Sequence, residues 1–234
     1  MSSKFSLSQV PSQKGRVAIV TGANTGLGFE TALAFTKKDI EVVMACRNEA
    51  KAKQAMEAIL EKVPNAKLSF IELDLMDLNS VRKFADGFLA LYDRLDLLIN
   101  NAGIMIPPFQ LTKDGFESQM GVNYYSHFVL TGLLMETLNN TEGARVVTLS
   151  SKAHENGEIY FDNINWETDY SKIKAYSQSK LACLLFTQEL QRRLSAAGHN
   201  TISVASHPGV STTELGRHIP KWFYYLFMPL IWFM

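Results

Sequence analysis

Short apolar runs alternate with longer amphipathic stretches along most of this sequence. The apolar runs are rich in Val, Ile and Leu without a clean alternation with polar residues, which is typical of strands that are covered on both faces. The runs that predict strands are residues 16–21, 40–45, 68–73, 95–100, 145–149 and 201–206. The stretches that predict helices are residues 29–37, 48–62, 77–92, 116–138 and 175–197.

This alternation predicts an α/β fold in one domain, because right-handed βαβ crossovers build a parallel sheet. We expect a single doubly wound, Rossmann-type parallel sheet with helices on both faces. The domain is predicted over residues 15–210, after a polar extension over residues 1–14 that lacks the apolar region of a signal peptide. Residues 211–234 are set apart by their apolar and aromatic character.

Composition and charge exclude several classes of function. Lys plus Arg and Asp plus Glu both total 23, so the net charge is +0 and the broad basic field of a nucleic-acid-binding protein is missing. The two cysteines, Cys46 and Cys183, lie in apolar surroundings and predict buried reduced thiols, which fits a cytoplasmic location. No close-spaced set of His and Cys is present, so no metal site is expected.

A glycine-rich turn, GANTGLG, follows the first predicted strand and precedes the first predicted helix. Glycines allow the backbone to turn tightly and to approach a pyrophosphate, which the positive end of the next helix stabilises. Its position between strand and helix favours a dinucleotide-binding loop over a plain turn. The residues expected to bind the cofactor here are Gly22, Asn24, Thr25, Gly26, Leu27 and Gly28.

The end of the second predicted strand indicates which nicotinamide cofactor is preferred. An acidic residue there would bind the ribose 2′-hydroxyl of NAD, whereas an arginine accommodates the 2′-phosphate of NADP. The sequence has Arg47, with no carboxylate until Glu49. We therefore expect NADP(H), with NAD(H) less favoured; the alternative is that Arg47 is only a solvated charge at a helix entry.

Two Tyr-x-x-x-Lys patterns compete for the chemical centre. Tyr176 and Lys180 are four residues apart, on one helical face, so that the ammonium can lower the pKa of the phenol. Tyr170 and Lys174 have the same spacing. We favour Tyr176, because it begins a helix with an apolar stripe; Tyr170 and its lysines are expected in a solvated loop.

A serine pair, Ser150 and Ser151, ends the fifth predicted strand. Ligands bind at the carboxyl ends of the strands in such sheets, and a hydroxyl there can share the charge that develops on a carbonyl oxygen. The residues alone do not distinguish the two serines.

In this order the motifs resemble the short-chain dehydrogenase/reductase family over about residues 14–210. The resemblance implies that Tyr176 is the general acid in reduction and the base in oxidation, and that Lys180 lowers its pKa and binds the nicotinamide ribose. It implies that Ser151 polarises the carbonyl and that Asn123 holds a water in a proton relay behind Lys180. The further cofactor contacts that it implies are Asp74 and Leu75 at the adenine, Asn101, Ala102 and Gly103 along the cofactor, and Pro208 and Gly209 beside the nicotinamide.

A closer likeness is carried by GANTGLG, ACRN and YSQSKLACLLFTQELQRRL. These segments look like the retinol dehydrogenase-like and WW-domain oxidoreductase-like branch, which implies NADP(H) and a lipophilic alcohol or carbonyl as the substrate. The sequence lacks the N-terminal membrane anchor of many retinol dehydrogenases, which argues against a retinoid substrate. The family's helix-mediated association makes a homodimer a further expectation.

The segment over residues 222–234, WFYYLFMPLIWFM, has three interpretations. We favour an apolar substrate lid that is truncated, because family members continue with a further helix and a last strand. A peripheral membrane or partner contact comes second. A transmembrane helix comes last, because the segment contains Pro229 and is shorter than the roughly 20 residues that span a bilayer.

We therefore predict an oxidoreductase that transfers a hydride between NADP(H) and an alcohol/carbonyl pair on a lipophilic small molecule. Two alternatives remain open. One is an NADP(H)-binding interaction module without turnover, and the other is a reductase of C=C bonds.

Overall fold

The strands of this protein form one parallel sheet in the order β3-β2-β1-β4-β5-β6. The computed structural model describes residues 6–209. The strands in that range are β1 (Val17–Thr21), β2 (Glu41–Cys46), β3 (Leu68–Glu72), β4 (Leu97–Asn100), β5 (Arg145–Leu149) and β6 (Ile202–Ser206). The predicted parallel, Rossmann-type sheet is confirmed, and its strands begin or end within two residues of the predicted bounds.

Helices cover both faces of the sheet. They are α1 (Gly26–Thr36), α2 (Glu49–Lys62), α3 (Leu78–Leu91), α4 (Ser118–Met120), α5 (Ser126–Leu133), α6 (Met135–Asn140) and α7 (Lys172–Ala196). One apolar core joins α1 and α2 to the sheet and includes Leu33, Met44 and Ile59. A second core, which includes Phe84 and Leu130, joins α3, α5 and α6 to the opposite face.

The order of the strands reverses at β1, which lies between β2 and β4. At such a switch point the loops that leave the neighbouring strands diverge, and a crevice opens at the carboxyl ends of the strands. The glycine turn after β1 and the loop after β4 therefore face each other across one crevice.

The predicted helix over residues 116–138 is wrong as a single element. The chain instead forms α4, a π-helical turn over Gly121–Tyr125, α5 and α6. Glu117 ends the preceding extended segment and caps α4, because its carboxylate accepts hydrogen bonds from the backbone of Gln119 and Met120. The π-helical turn contains Asn123, whose carbonyl oxygen lies 3.1 Å from His127 Nδ1 and accepts a contact of 3.2 Å from Cys183 Sγ.

Both cysteines are buried free thiols. Burial raises the pKa of the Cys46 thiol to about 11, which keeps it protonated at neutral pH. Within residues 6–209, the helices are all too short or too polar to cross a membrane. The expectations for residues 211–234 lie outside the described residues.

Candidate active site

The glycine turn after β1 is held against the loop after β4 by close backbone approach. Gly22 has φ of 65°, and a Cβ built on it would lie 3.1 Å from Ala102 Cβ. A Cβ on Gly28 would lie 2.3 Å from the carbonyl oxygen of Gly22 and 2.6 Å from Asn101 Nδ2. No side chain fits at Gly28, so the glycine there is required by the packing of the turn itself.

Thr21 and Asn101 fasten these two loops together. The Thr21 hydroxyl accepts hydrogen bonds of 2.9 Å from the amides of Asn101 and Ala102. Asn101 Nδ2 in turn donates to the carbonyl of Thr21 at 2.7 Å. The crevice therefore has a rigid floor where the resemblance predicts the cofactor.

The N-terminus of α1 is open at the same crevice. Thr25, the residue that precedes the helix, is extended with φ of −158°, and its side chain makes no capping hydrogen bond. The first backbone N–H groups of a helix have no partner within the helix and carry its positive dipole end. This end of α1, with the glycine turn that leads into it, fits a pyrophosphate.

Charged and polar groups surround the carboxyl ends of β2 and β3. Arg47 is mostly exposed, and its guanidinium lies 3.9 Å from the Asp74 carboxylate. Asp74 Oδ1 accepts a hydrogen bond of 3.0 Å from the amide of Met76, which fixes the turn after β3. Leu75 packs its side chain into the core, so only its backbone faces this edge.

A cleft of about 330 Å³ lies between the glycine turn and α2. Asn24, Thr25 and Lys51 line it. Lys51 is exposed in the first turn of α2, and the described part of the chain gives its ammonium no carboxylate partner within 4.0 Å. Sequence reasoning missed Lys51; a second cation four residues after Arg47 was the available signal.

Tyr176 and Lys180 are both buried in α7. Lys180 Nζ lies 5.9 Å from the centroid of the Tyr176 ring and donates to the carbonyl of Leu149 at 2.8 Å. Burial lowers the pKa of Lys180 and raises that of Tyr176. The expected lowering of the Tyr176 pKa by Lys180 is therefore not seen, because the ammonium faces the end of β5 rather than the phenol.

The two serines at the end of β5 have different surroundings. Ser150 is buried, and its hydroxyl donates to the carbonyl of Lys180 at 2.8 Å, which ties β5 to α7. Ser151 is only partly buried, and hydrogen bonding from its hydroxyl lowers the pKa of the Tyr176 phenol, against the larger effect of burial. Ser151 is thus the serine that lies beside Tyr176.

Asn123 fastens the loop after β4 to α7. Its Oδ1 accepts a hydrogen bond of 2.8 Å from the amide of Ile104, and its Nδ2 donates to the carbonyl of Ile104 at 3.0 Å and to Ser179 Oγ at 2.9 Å. A Cβ on Gly103 would lie 3.1 Å from Asn123 Oδ1 and 3.6 Å from Lys180 Nζ. Asn123, Gly103 and Lys180 therefore meet at one point of the crevice.

Pro208 and Gly209 follow β6 and are exposed at the same edge of the sheet. The amide of Gly209, which has φ of 69°, donates to His207 Nδ1 at 3.3 Å. Metal-binding clusters of three or more His, Cys, Asp or Glu are absent from residues 6–209.

A model of the short chain dehydrogenase family matches residues 16–223. The chain belongs to the short-chain dehydrogenase/reductase family. It lies in the retinol dehydrogenase-like branch, since it is 47% identical over 205 residues to Retinol dehydrogenase 13 from Homo sapiens. That match covers 87% of this chain and 61% of the relative. Retinol dehydrogenase 11 from Homo sapiens is 46% identical over 215 residues, which are 91% of this chain and 67% of the relative.

Solved structures of the family share this fold. An uncharacterized protein from Mycobacterium paratuberculosis superposes with a TM-score of 0.80 at 46% identity, covering 91% of this chain and 75% of that one. RhlG from Pseudomonas aeruginosa, in an active-site complex with NADP, superposes with a TM-score of 0.71 at 25% identity, covering 89% of this chain and 77% of that one. The sheet order and the position of the crevice therefore belong to the family fold.

Tyr170, the competing tyrosine, is not in a solvated loop, and that expectation is wrong for the tyrosine itself. Its hydroxyl lies 3.1 Å from the carbonyl oxygen of Pro107 and 3.5 Å from Glu117 Oε1. Burial and the Glu117 carboxylate raise the pKa of Tyr170 to about 12. Lys172 and Lys174 are exposed as expected, but they belong to the first turn of α7, which begins three residues before its predicted start.

Proposed function

We propose that this protein reduces a carbonyl group on a lipophilic small molecule with NADPH, and that it oxidises the alcohol in the reverse direction. The observation that carries the proposal is the juxtaposition of Tyr176, Ser151 and Lys180 at the sheet edge that also holds the glycine turn. The proposal extends to this chain the chemistry named for its retinol dehydrogenase relatives.

The nicotinamide cofactor supplies the hydride when it is bound. Tyr176 donates the proton, because burial keeps its phenol protonated at neutral pH. The carbonyl oxygen of the substrate receives this proton. The hydroxyl of Ser151 donates a hydrogen bond to that oxygen and shares the negative charge that develops on it. As the carbonyl carbon gains the hydride, the O–H bond of the phenol breaks, the alcohol forms and Tyr176 is left as a phenolate.

Lys180 has two roles in this proposal. It holds the ribose of the cofactor, and its positive charge stabilises the phenolate of Tyr176. Its ammonium is fixed by the carbonyl of Leu149 and lies beside Gly103, where a ribose hydroxyl could accept a further hydrogen bond. Asn123 supports this arrangement by clamping Ile104, so we propose that it acts by position.

NADP(H) is the proposed cofactor because two cations lie close to the end of β2, Arg47 directly after the strand and Lys51 at the edge of the cleft. Arg47 and Lys51 would bind the 2′-phosphate, and a guanidinium pairs with phosphate through two hydrogen bonds. The complex of RhlG with NADP is a structural neighbour that agrees with this choice.

The test uses the purified full chain, NADPH and a panel of aldehydes and ketones that includes retinal. We expect oxidation of NADPH with at least one of them, and we expect Tyr176→Phe to lower kcat by at least about 100-fold with little change in NADPH affinity. Tyr160→Phe is the matched control, because the Tyr160 ring packs edge-on against Trp166 and is not among the residues assigned to the reaction.

Three results would contradict the proposal. Unchanged turnover in Tyr176→Phe would remove the assigned acid. Binding of NADPH without turnover on any carbonyl would favour the interaction module, and loss of a C=C bond in the product would favour the other reductase chemistry.

A further inference from the structure

Gln119 is completely buried and joins two segments that border the crevice. Its Oε1 accepts a hydrogen bond of 2.9 Å from the amide of Ile106, in the loop after β4. Its Nε2 donates to the carbonyl of Lys172 at 2.9 Å, at the first residue of α7, and to the hydroxyl of Tyr170 at 3.2 Å. One side chain thus satisfies backbone groups on both segments.

Tyr170 makes the same connection by a second route. Its hydroxyl reaches the carbonyl of Pro107, and its ring packs edge-on against Phe109 with the centroids 5.1 Å apart. Pro107 and Phe109 belong to the loop after β4, whereas Tyr170 leads directly into α7. The polar and aromatic contacts of Tyr170 therefore reinforce those of Gln119.

Glu117 anchors the pair. Its carboxylate is buried and accepts hydrogen bonds of 2.9 Å from the amides of both Gln119 and Met120. A buried carboxylate is costly unless its oxygens are satisfied, so this group fixes the start of α4 and with it the direction of the Gln119 side chain. The three side chains Glu117, Gln119 and Tyr170 are called the hub below.

The backbone at the hub is strained on both sides. Ile106 has φ of 48° and Asp169 has φ of 52°, in the left-handed region that side chains seldom occupy. For a β-branched residue such as Ile106 this conformation persists only where the surroundings over-determine it. The hydrogen bond from the Ile106 amide to Gln119 supplies that constraint.

The hub acts on the residues of the proposed reaction at both of its ends. Lys172 lies one helical turn before Tyr176, so the carbonyl that Gln119 holds belongs to the turn that carries the phenol. At the other end, Ile106 lies two residues after Ile104, which Asn123 clamps, and three after Gly103, which lies beside Lys180.

We propose that Gln119 and Tyr170 are positioning residues that fix the Tyr176 phenol relative to the loop that lines the cofactor. This inference rests on the proposed function. We assign neither residue a contact with substrate or cofactor. Both residues set the distance between the Tyr176 phenol and the loop after β4, which are the parts proposed to make those contacts.

The variants that test it are Gln119→Met, which keeps the volume and removes the hydrogen bonds, and Tyr170→Phe, which removes only the hydroxyl. We expect each to lower kcat about tenfold, because small misplacements of a reacting group are costly, with NADPH affinity within about twofold of wild type. Gln178→Met is the matched control. Gln178 is equally buried and bonds the amide of Tyr160 at 3.1 Å and the carbonyl of Ile164 at 3.1 Å, outside the hub.

We expect both Gln119→Met and Gln178→Met to lower the thermal stability. Only the hub variants Gln119→Met and Tyr170→Phe should also lower kcat. Two outcomes would overturn the inference: a kcat that stays at the wild-type value in all three variants, or a kcat that falls by the same factor in all three.

Hydrogen exchange gives a readout that does not need turnover. We expect both hub variants to raise exchange in the loop after β4 and in the first turn of α7, and Gln178→Met to raise it at residues 160–164. Unchanged exchange in the first turn of α7 would refute the positioning role even if kcat falls. Absence of wild-type turnover would refute the proposed function, and exchange would then decide the structural link by itself.

Discussion

His127 makes the stability of this fold depend on pH in a way that can be calculated. The side chain is almost completely buried, and burial lowers the pKa of the imidazole to about 4 from its ordinary 6.5. Its Nδ1 donates to the carbonyl oxygen of Asn123, since a carbonyl can only accept, so Nε2 is the acceptor of the Thr21 hydroxyl 3.0 Å away. Protonation at Nε2 would place a donor against a hydroxyl oxygen that already accepts two amides.

The sign of the effect follows from linkage. His127 is neutral in the folded protein and takes up a proton on unfolding once the pH is below its ordinary pKa. Its contribution to the free energy of unfolding is therefore fully present above about pH 6.5 and is lost as the pH falls toward about 4. At about 1.4 kcal/mol per pH unit, the loss is about 2 kcal/mol at pH 5 and about 3 kcal/mol at pH 4.

The assay is urea unfolding of the full chain at a series of pH values between about 7.5 and 4.5, with the free energy taken from the linear extrapolation. The glutamine of His127→Gln cannot take up a proton. As the pH falls, we therefore expect the free energy of unfolding of this variant to decrease less than that of wild type, and the difference at each pH should equal the histidine's loss worked out in the preceding paragraph. His199→Gln, in an exposed position after α7, is the matched control and should keep the wild-type slope.

Carboxylates contribute to acid unfolding as well, but they do so in wild type and variants alike. The exposed Glu189, for example, has its pKa lowered to about 2 by hydrogen bonds from Arg192 and Arg193. The difference between wild type and His127→Gln isolates the histidine. Parallel curves for the two proteins would refute the assignment of a buried neutral imidazole.

Two further predictions concern the cofactor crevice. Gly28→Ala should lower the affinity for NADPH at least about tenfold in a fluorescence titration. The reason is that the added Cβ would lie 2.3 Å from the Gly22 carbonyl oxygen, so the turn would have to open. The control Gly132→Ala, whose Cβ would meet nothing within 4 Å, should bind NADPH as wild type does. The double change Arg47→Ala and Lys51→Ala should raise KM for NADPH about 100-fold and leave KM for NADH within about threefold, since each phosphate contact is worth roughly a factor of ten. Equal effects on both cofactors in steady-state kinetics would rule out a 2′-phosphate site there.

The fold was predictable because a parallel sheet leaves a simple signature. Each strand is covered on both faces, so its sequence is a short continuous apolar run, and the Ala- and Lys-rich stretch before Pro64 has equally clear helix signals. The segment over residues 116–138 failed for the opposite reason. Glu117 caps α4 through the backbone of the next residues, and the carbonyl oxygen of Asn123 in the π-helical turn contacts both His127 and the distant Cys183 of α7. Hydrophobic periodicity records none of these contacts.

The candidate site divides in the same way. The sequence alone identifies two pairs of candidates, because the members of each pair have a fixed spacing within one local segment. The pairs are Gly22 with Gly28, and Tyr176 with Lys180. Lys51 and Gln119 act across elements that are far apart in the chain, and only the fold brings them to the crevice. The residues alone left Ser150 and Ser151 open and the family resemblance favoured Ser151; the structure adds that the Ser150 hydroxyl is bound to the backbone of α7.

The two Tyr-x-x-x-Lys patterns show why spacing cannot assign chemistry without the surroundings. The Lys180 ammonium donates to the carbonyl of Leu149 but still lies 5.9 Å from the centroid of the Tyr176 ring, and the Ser151 hydroxyl hydrogen-bonds to the phenol, so in the proposed reaction a phenolate at Tyr176 would have a cation and a donor nearby. Tyr170 faces the Glu117 carboxylate, which raises its pKa further, and Lys174 lies over the ring of Tyr160 instead. A phenolate at Tyr170 would meet an anion in a buried site, so its hydroxyl is suited to hydrogen bonding and not to proton transfer. The sign of the nearest buried charge therefore distinguishes the two tyrosines, although both have the same sequence pattern, and it supports the proposed roles of Tyr176 as the acid and Tyr170 as a positioning group.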